Sequence, residues 1–298
     1  MRWQKRGLLL EPPTHLPWVA SHAAVPHVDV TDDEARVYFT TRDADRRSHI
    51  ACATLTSAGG GLQAEVRPDP VLRPGRRGTF DDSGAMSSCL ARGAGREYLY
   101  YQGWSLGVTV PFYVFAGCAS RAGDVFERVS EAPVVGRNAI DPIMVSSPWV
   151  LVEGGTWRMW YVSNLGWTDD AYGRARYRVH IRYAESDDGL DWRRDGRVCI
   201  DFREGEHAIS RPCVVNDDDC YRMWYSFRGE SYRIGYAESE DGLTWARRDA
   251  DAGIDVSGEG WDSEMVEYAC VFDLEGRRYM LYNGNGFGAT GIGYAELA

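Results

Sequence analysis

The chain has 298 residues and a formal net charge of −11, and 44% of its residues are hydrophobic. This length allows one large domain or two small ones, and the negative charge argues against nucleic acid or an anionic membrane surface as a partner. The 11 Trp, 17 Tyr and 33 Gly favour β structure, where aromatic residues are enriched and Gly marks turns and bulges.

The N-terminal segment MRWQKRGLLLEPP has a basic start but only three Leu before Glu11, which does not match a signal peptide. No stretch approaches the roughly 20 apolar residues that span a membrane. The seven Cys are scattered without CxxC spacing, which is typical of reduced, buried thiols in a cytoplasmic protein. We therefore expect a cytoplasmic location, no metal site and no cofactor.

A repeated segment organises the chain. Its copies are HIACA (49–53), FAGCAS (115–120), IRYAESDDGLDW (181–192), IGYAESEDGLTW (234–245) and GIGYAEL (291–297). A shared Ala recurs at Ala53, Ala119, Ala184, Ala237 and Ala295. Five copies at regular spacing indicate a repeat architecture.

Each repeat has the same internal order of predicted strands. A short apolar strand comes first, often near Pro, as in VPHVDV (25–30), SPWVLVE (147–153) and RPCVVND (211–217). An aromatic strand such as WRMWYVSN (157–164) follows, then the Ala strand, then an S-x-DG-x-x-W turn and a fourth strand. Four antiparallel strands in each of five units predict an all-β fold, a five-bladed β-propeller.

The fifth repeat stops soon after Ala295 and lacks a fourth strand. The segment WQKRGLLLEP (3–12) is similar to WRRDGRVCID (192–201), which holds a fourth strand. We expect this N-terminal strand to close the last blade and remove an exposed edge. The chain is then a single domain with blades at about 20–76, 77–138, 139–203, 204–256 and 257–298 together with 1–12.

The entrances of the first strands should line a central funnel, so polar residues there are candidates for a site. These candidates are Ser21 and His22 in blade one, Asp81, Asp82 and Ser83 in blade two, Asp141, Ser146 and Ser147 in blade three, Glu206, His207 and Arg211 in blade four, and Asp262, Glu264 and Glu267 in blade five. Several carboxylates in one concave site suit glycosyl transfer, because one can stay protonated while another is ionised. The structural alternative is that these acids cap turns or pair with Arg. Trp104, Trp167 and Trp261 could stack on sugar rings.

A second polar group follows the second strands. It comprises Arg42, Asp43, Arg47, Ser48 and His49 in blade one, Arg228 in blade four, and Asn283 and Asn285 in blade five. Arg47, Arg211 and Arg228 either hold the acids in place or bind an anionic substrate group. His22 and His49 either transfer protons or are hydrogen-bonded structural residues.

The repeated YAESDDGLDW and the acids at the strand entrances resemble the five-bladed glycosidases of the arabinanase, levansucrase and invertase type, which include glycoside hydrolase families 43, 32 and 130. The resemblance covers the whole chain. SHAAVP, RDADRRSHI, GTFDDSGAM, RMWYSFRG, GWDSEMVEY and YNGNGFG resemble an atypical, glycosidase-like subgroup.

The resemblance implies a catalytic set that this sequence does not reproduce. Family 43 enzymes use an Asp base from blade one, an Asp from blade two and a Glu acid from blade three. Here blade one offers Ser21-His22, blade two keeps an Asp pair, and blade three offers Asp141 without Glu. The invertase-type NDP, RDP and EC motifs do not occur as a set. A hydrolase of this kind would have relocated its acids to candidates among Asp82, Glu206, Asp262, Glu264 and Glu267.

We expect an enzyme that cleaves a glycosidic or sugar-phosphate linkage of a small soluble sugar, which could be anionic. Its predicted catalytic residues are Asp82, Glu264, Asp262, His22 and His49. Its predicted substrate-binding residues are Asp81, Arg47, Asp141, Glu206, Arg211, Arg228, Trp261, Glu267 and Asn283. A phosphorolytic reaction, a non-catalytic carbohydrate-binding propeller, and a propeller that performs elimination or cyclisation in a biosynthetic pathway remain open alternatives. Neither nucleic acid nor a membrane is expected as a partner.

Overall fold

The computed structural model describes residues 1–32, 34–217 and 220–298. It confirms the prediction of an all-β protein. The strands are β1 (Trp3–Leu10), β2 (Ser21–Val30), β3 (Ala35–Arg42), β4 (Ser48–Ala58), β5 (Gly61–Val66), β6 (Gly84–Gly93), β7 (Arg96–Leu106), β8 (Phe112–Ala122), β9 (Val125–Arg128), β10 (Val145–Glu153), β11 (Thr156–Asp169), β12 (Ala175–Ser186), β13 (Val198–Ile200), β14 (Ala208–Asp217), β15 (Cys220–Arg228), β16 (Tyr232–Ser239), β17 (Ala246–Arg247), β18 (Glu267–Leu274), β19 (Arg277–Asn283) and β20 (Ile292–Leu297). Short helical turns occupy Asp249–Asp251 and Asn285–Gly288. No helix in the described part of the chain is long and apolar enough to cross a membrane.

The strands pair as successive four-stranded antiparallel units. Unit 1 contains β2 to β5, unit 2 contains β6 to β9, unit 3 contains β10 to β13, and unit 4 contains β14 to β17. Unit 5 consists of β18, β19, β20 and the N-terminal strand β1, which pairs antiparallel with β20. Single parallel bridges, Ser48 with Gly84 and Val179 with Ala208, join unit 1 to unit 2 and unit 3 to unit 4.

The first strands of the units contact one another in a cycle, β2 with β6, β6 with β10, β10 with β14, β14 with β18, and β18 with β2. One hydrogen bond between a side chain and the backbone of the next first strand crosses each junction. These bonds join His27 Nε2 to Leu90 N–H (2.9 Å), Cys89 Sγ to Val150 N–H (3.3 Å), Trp149 Nε1–H to Val214 O (2.9 Å), Cys213 Sγ to Val271 N–H (3.2 Å) and Cys270 Sγ to Val28 N–H (3.3 Å). We call this set the inter-strand ring. It fixes the first strands relative to one another around a common centre.

The S-x-DG-x-x-W segments are tight turns that also join neighbouring units. Ser186 Oγ accepts a hydrogen bond from Gly189 N–H at 2.9 Å, and Gly189 adopts a φ of 78°, a conformation that glycine favours. The Gly189 carbonyl accepts the Tyr100 hydroxyl of unit 2 at 2.7 Å. The second copy repeats this arrangement, and its Gly242 carbonyl accepts Trp160 Nε1–H of unit 3 at 2.8 Å. The repeated sequence therefore builds a contact between units.

Candidate functional site

Bulges in the first strands shape the centre of the molecule. In units 1, 3, 4 and 5 the pairing between the first and second strands shifts register, and the bulge contains a non-glycine residue with positive φ. These residues are Val25 (52°), Ser147 (47°), Arg211 (52°) and Tyr268 (57°). Positive φ is unfavourable for residues that carry a Cβ, and a bulge turns a side chain away from the regular alternation. All four side chains line the same cavity.

We call this space the central cavity. It has a volume of about 160 Å³. Its lining comes from the first strand of every unit, through Val25, Met86, Ser146, Ser147, Ser210, Arg211 and Tyr268, and from Gln102, Phe112, Val114, Met144, Val162, Tyr177, Val179 and Tyr232. Other depressions of about 280, 340 and 420 Å³ lie elsewhere, but their described lining residues come from three units or fewer. The central cavity is therefore the place where the repeat brings most polar groups together.

Glu267 occupies the strand position that faces this cavity in its neighbours. It pairs with Asn283 just before the bulge of β18, as Ser146 pairs with Val162 and Ser210 with Ser226 before theirs. Ser146 and Ser210 line the cavity. Glu267 stands in the adjacent wall and is fully buried.

The carboxyl group of Glu267 is isolated. Within the described chain neither carboxyl oxygen has a hydrogen-bond partner. Burial raises the pKa of Glu267 well above its ordinary value, and the opposing effects of Tyr268 and the Arg228 charge are smaller. A carboxylate is costly in a buried site, so burial favours the protonated form of this side chain. A neutral carboxyl group can donate a proton to a leaving oxygen.

Unit 4 contributes two polar residues, Arg211 and Ser210, to the lining of the central cavity. Arg211 is 1% exposed, and its guanidinium donates to Ser88 Oγ at 3.3 Å and to the Pro26 carbonyl at 2.8 Å. Its Nε and the Ser210 hydroxyl have no hydrogen-bond partner among the described residues. Burial lowers the pKa of Arg211, although a guanidinium remains charged at any ordinary pH. The cavity thus contains a buried cation beside an unused hydroxyl.

Aromatic and cationic groups of units 3, 4 and 5 form the wall next to Glu267. The hydroxyls of Tyr177 and Tyr232 lie 3.0 Å apart. The Arg228 guanidinium lies 5.3 Å from the Tyr232 ring centroid and 5.7 Å from that of Phe287. Such cation–π contacts hold Arg228 in position without neutralising its charge.

Two histidines near the cavity are neutral at physiological pH. Burial lowers the pKa of His22 to about 4, and the charge of Arg42 acts in the same direction. Burial likewise lowers the pKa of His207 to about 4, assisted by Arg176 and Arg228. A neutral imidazole can accept or donate a hydrogen bond to a hydroxyl group. His22 Nδ1 lies 2.8 Å from Ser21 Oγ.

Three of the predicted site acids have a structural environment instead. Asp81 receives the Tyr101 hydroxyl and pairs with Arg128, and Asp262 receives the Tyr282 hydroxyl and pairs with Lys5. Asp141 is enclosed by Tyr161, Ser163, Arg182 and Arg194. All three are at most 2% exposed, and none lines the central cavity. The structure thus gives structural partners to Asp262, which was predicted to be catalytic, and to Asp81 and Asp141, which were predicted to bind substrate.

The predicted catalytic pair is also not assembled. Asp82 accepts hydrogen bonds from Gly78 N–H and the Ser83 hydroxyl within its own loop. Glu264 is exposed to solvent, and neither residue lines the central cavity. Glu206 forms a two-bond pair with Arg247, at 2.8 and 2.9 Å. Asp82 is bonded within its loop, Glu206 is paired with Arg247 and Glu264 faces solvent, so we do not assign these acids a role in substrate binding or catalysis.

The remaining candidates also lie outside the cavity lining, and Arg47 among them is exposed. Arg47 and His49 both contact the Asp43 carboxylate, at 3.0 Å in each case. Asn283 links Val25 N–H to the carbonyls of Ala23 and Gly291. The Trp261 ring packs against Tyr282, with centroids 5.2 Å apart. The Asn283 and Trp261 contacts hold one segment of the chain to another, whereas the Arg47 and His49 contacts lie within the segment 43–49.

Sequence reasoning missed Ser210, Tyr268, Tyr177 and Tyr232 as lining residues. A signal for part of this set was present, because the bulge residues of units 1, 3 and 4 directly precede Pro26, Pro148 and Pro212. Tyr177 and Tyr232, in contrast, come from a long hairpin and a third strand, whose approach to the centre depends on the packing of several units. Within the described residues, no group of three or more His, Cys, Asp or Glu side chains could hold a metal ion.

Comparison with known proteins identifies relatives of the whole chain. Two Mycobacterium tuberculosis proteins, Uncharacterized protein MT1551 of strain CDC 1551 / Oshkosh and Uncharacterized protein Rv1502 of strain ATCC 25618 / H37Rv, are each 47% identical to it over 300 residues. The alignments cover 100% of this chain and 99% of each relative. No family model matches the sequence.

Solved structures of similar fold are more distant in sequence. A glycoside hydrolase has a TM-score of 0.77 at 18% identity, and the likeness covers 98% of this chain and 91% of that protein. A structure from the family 130 of mannoside phosphorylases, described as containing hydrolases that target β-1,2 mannosidic linkages in Candida mannan, has a TM-score of 0.73 at 15% identity, with 99% and 93% covered. A thermostable family-43 glycoside hydrolase has a TM-score of 0.65 at 15% identity, with 93% and 88% covered. At these identities the likeness shows the fold, which is that of glycoside-hydrolase-like propeller proteins, as the sequence resemblance implied.

Proposed function

The chain belongs to the family of the two Mycobacterium tuberculosis proteins, and on this premise we propose that it is a sugar-active enzyme whose substrate binds in the central cavity. In this proposal the five units are the blades of a five-bladed propeller that β1 closes, with the blade boundaries expected from the sequence. The cyclic contacts of the first strands and the inter-strand ring support that arrangement.

One observation carries the proposal, namely the buried carboxyl group of Glu267, which directly precedes the cavity-lining Tyr268 and whose pKa is raised well above its ordinary value by burial. Cleavage of a glycosidic bond needs a proton for the bridging oxygen as its bond to the anomeric carbon breaks. Glu267 supplies this proton. A water oxygen then bonds to the anomeric carbon, and a water proton returns to the Glu267 carboxylate. Arg228 and Tyr268 favour the ionised carboxylate during the step, since both act to lower its pKa.

The surrounding polar groups have supporting roles. His22 and His207 remain neutral and can hydrogen-bond sugar hydroxyls. The rings of Tyr177, Tyr232 and Tyr268 offer faces on which a sugar ring can stack. The substrate is a small sugar or sugar derivative, and a cytoplasmic location is part of the proposal, supported by the seven free thiols.

A second candidate function is carbohydrate binding without catalysis. Among the described residues no Asp or Glu is part of the cavity lining, and Glu267 is buried next to it, whereas glycosidases ordinarily place two carboxyl groups in the site. This observation favours a binding propeller. The same observation is compatible with transfer of the sugar to an acceptor other than water, including phosphate. It is also compatible with a different reaction such as elimination.

The test is turnover by purified protein on a panel of nitrophenyl glycosides and oligosaccharides, with and without phosphate. We expect Glu267→Gln to lower kcat by roughly 10²- to 10⁴-fold, the usual contribution of a positioned acid. Asp82→Asn and Glu264→Gln are matched controls and should change kcat by less than about threefold. If E267Q keeps full activity, Glu267 is not the acid. If ligands bind with no turnover by any variant, including wild type, the protein is a binding propeller.

A further inference from the structure

The central cavity contains a cation, Arg211, that has no carboxylate partner in the part of the chain that the structure describes. Arg211 forms no ion pair with a carboxylate of the described residues, although it is 1% exposed in a protein with a net charge of −11. A guanidinium has five N–H donors, and two hydrogen bonds from Arg211 are present, to Ser88 and Pro26. A buried charge of this kind is costly unless another charge offsets it. The position therefore suits an anion that comes from outside the chain.

The neighbouring residue offers a second group for the same ligand. The Ser210 hydroxyl is buried without a hydrogen-bond partner in the described chain, and both Ser210 and Arg211 line the cavity. Ser146, from unit 3, lines it as well. A cation together with hydroxyl donors is a combination that recognises oxyanions by charge-assisted hydrogen bonds.

The size and field of the cavity agree with this chemistry. A volume of about 160 Å³ corresponds to about five water molecules at their liquid volume, which is enough for an oxyanion group and part of a sugar ring. Arg42 and Arg228 occupy matching ends of β3 and β15, and neither pairs with a carboxylate of the described residues. Two such charges add a positive field that attracts an anionic ligand.

We propose that the central cavity is an oxyanion subsite, in which Arg211 and Ser210 bind a phosphate, sulfate or carboxylate group carried by the sugar substrate. The proposal rests on the proposed function, because it assigns the substrate class of the same cavity. In this proposal unit 4 binds the anionic substituent, and Glu267 of unit 5 donates a proton to the leaving oxygen.

Calorimetry and thermal unfolding of the wild-type protein test the subsite directly. The probes are a hexose 1-phosphate, a hexose 6-phosphate, a hexuronate, the parent hexose and inorganic phosphate, at constant ionic strength. We expect at least one anionic sugar to bind at least tenfold more tightly than the parent hexose and to raise Tm saturably. Equal affinities for charged and neutral sugars would overturn the proposal. Inorganic phosphate that binds as tightly as every sugar anion would also overturn it, because the anion would then be a separate ligand.

Variants assign the binding to the two residues. Arg211→Met should weaken binding of the anionic sugar by about 100-fold, and Ser210→Ala by about tenfold, as expected for lost charge-assisted and neutral hydrogen bonds. Arg193→Met, which removes an exposed cation paired with Asp187, is the matched control and should bind normally. Since R211M can fail to fold, S210A serves as the independent variant. Normal binding by S210A together with normal binding by a folded R211M would contradict the assignment.

The alternative counter-charge is a thiolate. Cys89, Cys213, Cys270 and Tyr268 are the ionisable groups that act on Arg211. If the thiolate of Cys270 already neutralised Arg211, Cys270→Ser would create the anion site and tighten binding more than tenfold. We expect C270S to bind within about threefold of wild type. Glu267→Gln separates the two proposals, because it should lose turnover while it keeps anion affinity. Anion binding with undiminished turnover by E267Q contradicts only the catalytic role, and lost turnover without anion selectivity contradicts only the subsite.

Discussion

The Tyr161 hydroxyl donates a hydrogen bond to the Asp141 carboxylate at 3.0 Å, across 20 positions of sequence. The same bond, with the same separation, joins Tyr101 to Asp81 and Tyr282 to Asp262. In each of these three units a cation also contacts the carboxylate, as Arg194 does for Asp141 at 2.8 Å. The pair ties the entrance of a first strand to the middle of the second strand beside it.

The first prediction concerns how much the Asp141–Tyr161 pair of unit 3 contributes to the stability of the folded protein. Asp141→Asn leaves Arg182 and Arg194 without their shared carboxylate and should lower the free energy of unfolding by about 3–5 kcal/mol. Tyr161→Phe removes one hydrogen bond and should cost about 1 kcal/mol. Urea unfolding measures both. Asp187→Asn, at an exposed pair with Arg193, is the control and should cost about 0–1 kcal/mol. If D141N is as stable as the wild-type protein but no longer binds ligand, Asp141 is a ligand-binding residue and not a structural one.

The second prediction concerns the link between β1 and unit 5. Lys5 Nζ lies 2.7 Å from the Asp262 carboxylate, which is 2% exposed. Lys5→Met leaves a buried carboxylate without its cation and should lower the free energy of unfolding by about 3–5 kcal/mol. Arg6→Met removes a more exposed pair with Glu296 and should cost about 1 kcal/mol or less. Equal losses in the two variants, measured by urea unfolding, would show that Asp262 does not depend on Lys5.

The third prediction follows from the raised pKa of Glu267. The unfolded chain releases this proton above about pH 4.5, whereas the folded protein keeps it, so wild-type stability falls as the pH rises. The fall is up to about 1.4 kcal/mol per pH unit until the pH passes the pKa of the folded state. Glu267→Gln cannot ionise and lacks this loss. Urea unfolding of both proteins should give similar stabilities near about pH 4 and a growing advantage for E267Q as the pH rises above about 5. Parallel profiles would mean that Glu267 is ionised in the folded protein.

The fourth prediction concerns the thiols. Cys220 is partly exposed, and the other six cysteines are buried. Burial raises the pKa of Cys89 and of Cys199 to about 12, and the thiolate is the reactive form. A chromogenic disulfide reagent should therefore modify at most Cys220 in the native protein and all seven thiols after denaturation. Cys220→Ser should abolish the native reaction. Rapid modification of a second thiol would show that the inter-strand ring opens in solution.

The sequence repeat was sufficient to predict the strand order, because the Ala, the DG turn and the Trp mark the same places in several units. Ala53, Ala119, Ala184, Ala237 and Ala295 are each at most 1% exposed, since the third strand packs between others. Pairing of β1 with β20 also agrees with the expectation from the segment 3–12.

The candidate site was harder to predict. An acidic residue just before a strand can either bind a ligand or form a buried hydrogen bond that stabilises the fold, and the sequence pattern is the same in both cases. The buried structural acids Asp81, Asp141 and Asp262 share a Tyr 20 positions later. Glu267 is not followed in this way, since residue 287 is Phe. Position in the sequence could not show that Arg211 has no carboxylate partner among the described residues, because ion pairs join residues that are distant in the chain.

Pairing of β1 with β20 also affects how the protein is made. Arg6 and Glu296 are in contact across 290 positions of sequence, so the ribosome must release nearly all of the intervening chain before unit 5 can be completed. Units 1 to 4 use only local strands and can form during synthesis, while β1 waits without a partner. A long-range contact of this kind slows folding, and an unpaired strand can join a neighbouring chain. Translation of this protein at high polysome density therefore favours exchange of β1 between nascent chains.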